Sequence, residues 1–281
     1  MQDLALRQRI FYNEWERYKK LYTHIDLNWY KKALDSFCRL LGNACQILDV
    51  GCGIGITTDF LRRRYRNTIG IDYSLEFCKM AREKNERGSL VINADAAALP
   101  IRDRSIDGIF SFGAIEHMHD VRASLGEMDR VLKRDGVILI HMPDLLTPLR
   151  PLKAILSREE LKYPKPESGN NCVHSFYLIL RDVFFLLRKW GSRDASFLSR
   201  EPNFEIVEGD YDAVYLSSPL DIKKYFRKRN YRVEDLTFPY RPYVGRGWVK
   251  KALKWLLFKT KILRMIRMSS GTYSTLVLRK S

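Results

Sequence analysis

Asp49 stands directly before three glycines at alternate positions in the run Ile47-Leu48-Asp49-Val50-Gly51-Cys52-Gly53-Ile54-Gly55. Glycines so spaced leave backbone without Cβ atoms over which a ligand can lie, and a helix start just beyond would aim its free N–H groups at that ligand. Asp49 at the strand end can accept from a cationic or hydroxylated ligand. Asp72 comes about twenty residues after the turn, closing a second apolar run, where a carboxylate can take both hydroxyls of a ribose. Asp95 closes a third run and can accept from an exocyclic amine, with the Ala96 backbone beside it to read a ring edge. Acid–base candidates are few. His117, His119 and His141 stand at the ends of the fourth and fifth runs, and His174 lies further on. A lone histidine is more often structural than catalytic. His117 is the first choice, as a site-wall and catalytic residue, and His141 the second, as a base. Asp144 and Tyr211 are weaker alternatives. No metal site is expected, because Cys38, Cys45, Cys52, Cys78 and Cys172 are scattered without paired spacing, a pattern that fits reduced thiols.

Positioning these groups takes alternating strands and helices. Strands are expected at 47–50, 68–71, 90–94, 105–112 and 137–142, with helices at 56–66, at 75–87 capped by Ser74, and at 121–133. Two amphipathic helical pieces precede them within 1–42. Their aromatics read as core packing, although an N-terminal helix can also roof a ligand.

Six short motifs fall in register along this stretch. They are Leu48-Asp49-Val50-Gly51-Cys52-Gly53, Gly70-Ile71-Asp72-Tyr73-Ser74, Ala94-Asp95 with Leu99-Pro100, Ser105-Ile106-Asp107, Glu116-His117, and Arg130-Val131-Leu132-Lys133 with Gly136. In order and spacing the set resembles the class I S-adenosylmethionine-dependent methyltransferases, of the type related to quinone and small-molecule methyltransferases. A dinucleotide fold would instead place its third glycine three residues after the second. The resemblance covers 47–142, about a third of the chain. It implies a single α/β domain over 1–281, with a doubly wound, mostly parallel seven-stranded sheet in the order 3-2-1-4-5-7-6 and strand 7 antiparallel. It also implies S-adenosylmethionine as cofactor. Asp49, Gly51 and Gly53 would hold its amino-acid end, with Cys52 and Gly55 completing the turn. Asp72 with Tyr73 would hold the ribose, Asp95 and Ala96 the adenine, and Phe112 with His117 would wall the sulfonium.

Outside that stretch, 144–208 reads as an insertion at the carboxyl edge of the sheet, where open α/β folds bind ligands. Its apolar segment 176–190 has helical periodicity and is too short and too charged to span a bilayer. A substrate lid, a helical element inserted over the site, is expected there, with core packing of its aromatics as a parallel explanation. Residues 211–216 have strand character, Ser218 and Pro219 start a helix, and 231–238 and 272–278 supply the sixth and seventh strands.

Charge is uneven. The formal net charge is +16, and 222–281 holds 17 Lys and Arg against two acids. Much of this lies in 242–270, a basic insertion before the last strand. Within it, 248–268 sets Trp248, Ala252, Trp255, Ile262, Leu263 and Ile266 on one helical face, opposite lysines. An anionic membrane surface is one candidate partner for it, water alone another, and nucleic acid a third and lesser one.

The first nine residues lack the apolar core of a signal peptide, and no run reaches the roughly 20 apolar residues that span a bilayer. A cytoplasmic protein, peripheral to a membrane at most, is therefore expected. With 46% hydrophobic and 29% charged residues the chain can bury a core. The reading is methyl transfer to oxygen or carbon of a small-molecule or lipid-linked acceptor. An RNA methyltransferase and a non-catalytic cofactor-binding regulator are the alternatives, with acceptor and oligomeric state left open.

Overall fold

The computed structural model describes residues 2–13, 27–43, 46–84, 90–146, 171–205, 212–236 and 273–280. Seven strands build one sheet: β1 (Gln46–Val50), β2 (Asn67–Asp72), β3 (Leu90–Asn93), β4 (Ile106–Phe112), β5 (Leu132–Pro143), β6 (Tyr231–Asp235) and β7 (Tyr273–Lys280). Their order is β3-β2-β1-β4-β5-β7-β6. The first five are parallel, and β7 runs antiparallel to both β5 and β6. The expected fold is the one observed.

Burial on both faces explains why the strands read as near-continuous apolar runs. Alternate residues point to opposite faces. Leu48, Val50, Ile109, Ile138, Ile140, Leu276 and Leu278 pack with helix α5 (Val121–Val131) and helix α7 (Pro219–Arg227). Ile47, Phe110, Val137, Leu139 and Val277 pack on the other face with α2 (Leu27–Leu41) and α3 (Ile56–Arg64). The remaining described helices are α1 (Gln2–Asn13), α4 (Leu75–Lys84) and α6 (Asn171–Gly191).

Three local expectations are corrected. Helix α5 stops at Val131, not 133, because Leu132 already pairs with Ile106; the register then shifts, and regular pairing resumes at Gly108 and Val137. Segment 212–216 is no strand. Tyr215 forms a single bridge to Ser199, while the Val214 and Tyr215 N–H groups both donate to the Glu116 carbonyl, at 2.9 and 3.0 Å. Ser218 sits at the N-cap position of α7 without a side-chain capping bond, and its carbonyl accepts instead from the Asp221 N–H at 3.1 Å. Ser74 does cap α4, its Oγ accepting from the Phe77 N–H at 3.2 Å.

Helix α6 packs against α7. Within the insertion, 147–170 and 206–211 lie outside the described residues, as does the whole of 242–270 with the amphipathic stretch 248–268.

Candidate functional site

The carboxyl ends of β1 to β4 open into a cavity of about 300 Å³. The turn after β1 shapes its floor. Gly51, Gly53 and Gly55 all hold positive φ, at 76°, 53° and 81°. A Cβ at Gly51 would come within 2.3 Å of the Ala114 Cβ, so only glycine lets this turn lie against the segment after β4. Gly55 serves a different neighbour. Its Cβ would meet the Ala81 Cβ at 2.9 Å, so it packs α3 on α4 and does not line the cavity.

Asp49 is likewise held behind the cavity wall. It is buried, and its Oδ2 accepts from the Thr57 and Thr58 hydroxyls at 2.6 and 2.7 Å, which ties the start of α3 to the end of β1. Burial pushes its pKa up to about 6 against those two bonds. Asp49 therefore positions the turn and is not among the residues lining the cavity. Asp72 lines it. Its Oδ2 accepts from the Gly53 N–H at 2.7 Å and its Oδ1 from the Ser74 N–H at 2.9 Å, so one carboxylate joins the glycine turn to the head of α4. Each oxygen keeps a further lone pair for a ligand hydroxyl. Burial raises the Asp72 pKa, opposed by these backbone bonds.

Tyr73, Asp95 and Ala96 form the next wall. Asp95 Oδ1 accepts from the Ala97 N–H at 2.8 Å, and its Oδ2 stands 3.4 Å from His119 Nε2. Helix α1 forms another wall, contributing Gln8 and Tyr12. Tyr73 donates to the Ala5 carbonyl at 3.0 Å, Gln8 Nε2 to the His117 carbonyl at 2.7 Å, and Ser74 Oγ to the Tyr12 carbonyl at 2.7 Å. The N-terminal helix thus closes over the glycine turn by these polar contacts and by Phe11, which packs with Ile54 and Phe77.

Phe112 lines the cavity and stacks on His141, with centroids 4.0 Å apart; His141 stacks in turn on Tyr273 at 5.1 Å, and Tyr30 meets Phe112 edge-on. His141 Nδ1 lies 2.8 Å from Thr275 Oγ1, and burial pushes its pKa down to about 3. His141 does not line the cavity, and a pKa pushed this far down makes it a weak proton acceptor, so the expected base is instead an uncharged layer of an aromatic stack near neutral pH. The same depression predicts a pH effect on stability. A histidine with an ordinary value near 6.5 when unfolded and about 3 when folded contributes stability in full above about 6.5, and loses it as pH falls toward 3. His141→Phe keeps the stack and removes the titration. Between pH 7 and 5 its unfolding free energy should fall about 2 kcal/mol less than that of the native chain. An equal fall in unfolding free energy for the two chains between pH 7 and 5, read by denaturant titration, would refute this.

His117 stands where two elements meet. The short 3-10 turn Ile115–His117 follows β4 and brings the imidazole into the cavity wall. Its Nδ1 lies 3.3 Å from Asp212 Oδ2 and its Nε2 3.7 Å from Glu116 Oε1. Asp212 is buried and also accepts from Tyr12 OH at 2.9 Å. Burial raises the Asp212 pKa, and His117 with these bonds outweighs it, so the net shift is downward and the carboxylate stays ionised. Asp212 and Tyr12 were not foreseen. The one available signal was an acid opening the apolar run Asp212-Ala213-Val214-Tyr215-Leu216. The His174 side chain and Tyr211 lie outside the described residues, and no metal-ligand cluster occurs among the described ones.

The cavity has the parts that S-adenosylmethionine requires. Cβ-free backbone and the start of α3 suit a carboxylate, Asp72 suits a diol, Asp95 and Ala96 suit a ring edge with an amine, and the aromatic rings suit a cation. Comparison with known proteins agrees. Residues 48–140 match a family model described as a methyltransferase domain. This segment is a class I S-adenosylmethionine-dependent methyltransferase domain. The chain is 38% identical over 93 residues to malonyl-[acyl-carrier protein] O-methyltransferase of Hamiltonella defensa, covering 33% of this chain and 36% of that protein. It is 30% identical over 125 residues to a probable S-adenosylmethionine-dependent methyltransferase of Mycobacterium tuberculosis, covering 44% and 45%. The matches thus span less than half the length of these relatives. In fold it is similar to an S-adenosylmethionine-dependent methyltransferase from Mesorhizobium loti, with TM-score 0.51 and 13% identity over 89% of this chain and 97% of that one. The methyltransferase domain accounts for all five parallel strands. Asp212, β6 and β7 lie beyond the matched segment.

Proposed function

We propose that this chain transfers a methyl group from S-adenosylmethionine to oxygen or carbon of a small-molecule or lipid-linked acceptor. The observation that carries the reading is the convergence of Gly51, Gly53, Asp72, Asp95 and His117 on one cavity at the carboxyl edge of the sheet. Bound S-adenosylmethionine supplies an activated methyl group on a sulfonium, so positioning does most of the catalytic work. The glycine turn and Asp72 orient the cofactor, Asp95 and Ala96 fix its adenine, and Phe112 presents an aromatic face toward the acceptor side. His117 is the one cavity-wall imidazole backed by a buried carboxylate. It takes the acceptor's proton, and Asp212 stabilises the imidazolium so formed. Glu116 lies on the other side of the ring and adds to the same effect.

An acceptor that is already ionised, such as a carboxylate, would bypass His117, whereas a carbon acceptor must give up a proton as its C–CH3 bond forms and would still need a base. The direct test is transfer of labelled methyl from S-adenosylmethionine into the lipid, small-molecule and RNA fractions of an extract. Label in the lipid or small-molecule fraction supports the proposal. Label confined to RNA favours the nucleic-acid alternative, and cofactor binding without label in any fraction favours a regulator.

A further inference from the structure

Helix α6 is turned inside out. An amphipathic helix on a globular domain buries its apolar stripe and exposes its charges. Here Asp182 is 2% exposed and Lys189 1%, whereas Leu180 is 54% exposed, Phe184 60%, Leu187 60% and Trp190 62%. At 100° per residue, Asp182 and Lys189 share one side of the helix, and Leu180, Phe184 and Leu187 lie opposite.

The buried charges hold this orientation. Lys189 Nζ donates to Asp221 Oδ2 on α7 and to the Ser196 carbonyl, while Asp221 Oδ1 accepts from the Ser196 N–H at 3.0 Å and its Oδ2 from Tyr215 OH at 3.0 Å. Asp182 accepts from Arg181 at 2.7 Å. Breaking a buried pair of this kind leaves an uncompensated charge, so the helix cannot roll to bury its aromatics. None of the described residues of α6 lines the cofactor cavity.

Charge decides the occupant. Asp182 is the single acid in α6, and it faces inward. The exposed face of the helix carries Arg188 and no acid; just beyond it lies Arg193, and the exposed Asp194 that follows is paired with Lys228. An apolar face with Phe, Leu and Trp bordered by basic residues matches an interface of acyl chains and anionic headgroups. A second copy would bring the same arginines to the same interface on a chain of net charge +16. No helix among the described residues is long and apolar enough to cross a membrane, so contact means lying in the interface plane.

We propose that the outward face of α6 docks this chain on an anionic lipid bilayer. The inference goes beyond the methyl-transfer reading and does not depend on it. It is tested with the full chain and vesicles of phosphatidylcholine containing about a quarter phosphatidylglycerol, by co-sedimentation. The native chain should bind these vesicles, and bind pure phosphatidylcholine more weakly. Phe184→Glu with Leu187→Glu should lower the partition coefficient at least about tenfold, and Phe184→Ser with Leu187→Ser should fall between. Because both positions are exposed, the thermal midpoint by circular dichroism should stay unchanged, which separates lost docking from lost folding. Vesicle binding by the glutamate variant equal to that of the native chain would overturn the proposal. So would absence of binding by the native chain, including the case in which sedimentation velocity shows a dimer that the glutamate variant dissociates.

Discussion

His117→Gln is expected to lower kcat for methyl transfer by about 10²- to 10⁴-fold, the usual range for removing a positioned general base. Glutamine cannot accept a proton at neutral pH. Affinity for S-adenosylhomocysteine should change little, because Asp72 and Asp95, the carboxylates proposed to hold the cofactor, make their contacts elsewhere. Asp212→Asn is the companion variant. It removes the charge 3.3 Å from Nδ1 while keeping an acceptor for Tyr12, so kcat should fall by less than in His117→Gln. KM for the acceptor should hold in both. The measurement is steady-state kinetics with the acceptor that the labelling experiment reveals. A His117→Gln enzyme within about threefold of the native rate would show that the acceptor does not lose its proton to His117.

Asp72→Ala should cost the largest share of cofactor affinity, about 10²-fold or more. Hydrogen bonds to an ionised group are worth about 1.5–3 kcal/mol each, and Asp72 is placed to serve ligand hydroxyls while restraining the Gly53 N–H. Loss of that bond also frees the glycine turn, so part of the cost is disorganisation of the backbone that the ligand must meet. Asp72→Asn separates the two contributions. An amide oxygen can still accept from one backbone N–H, so its turn should stay closer to native while the charge-assisted bonds to the ligand weaken. Calorimetric titration of both variants with S-adenosylhomocysteine reads the difference. Native affinity in the alanine variant would remove Asp72 from the ligand's partners.

The central frame was legible because strand, glycine turn and helix alternate at fixed spacing, and Gly51, Gly53, Asp72, Asp95, Ala96, Phe112 and His117 line one cavity. Asp49 and Gly55 show the limit of such reading. Their spacing marks the turn, yet their partners, Thr57 and Thr58 for one and Ala81 for the other, are set by how α3 and α4 pack. His141 follows the same logic: a strand-end position placed it near the site, while its stacking between Phe112 and Tyr273 depends on β7, far along the chain. Asp212 offered only its place at the head of an apolar run, and nothing local joined it to Tyr12, which it meets across 200 residues. The periodicity of α6 was correctly helical, but period alone does not say which side faces water. The buried Lys189–Asp221 pair decides that.

The central claim is that the glycine turn, Asp72 and Asp95 form a cofactor site. Isothermal titration of the full chain with S-adenosylhomocysteine tests it most directly. Saturable one-to-one binding, weakened about 10²-fold by Asp72→Ala and hardly altered by His117→Gln, is the predicted result. Absence of binding to the folded native chain would contradict it.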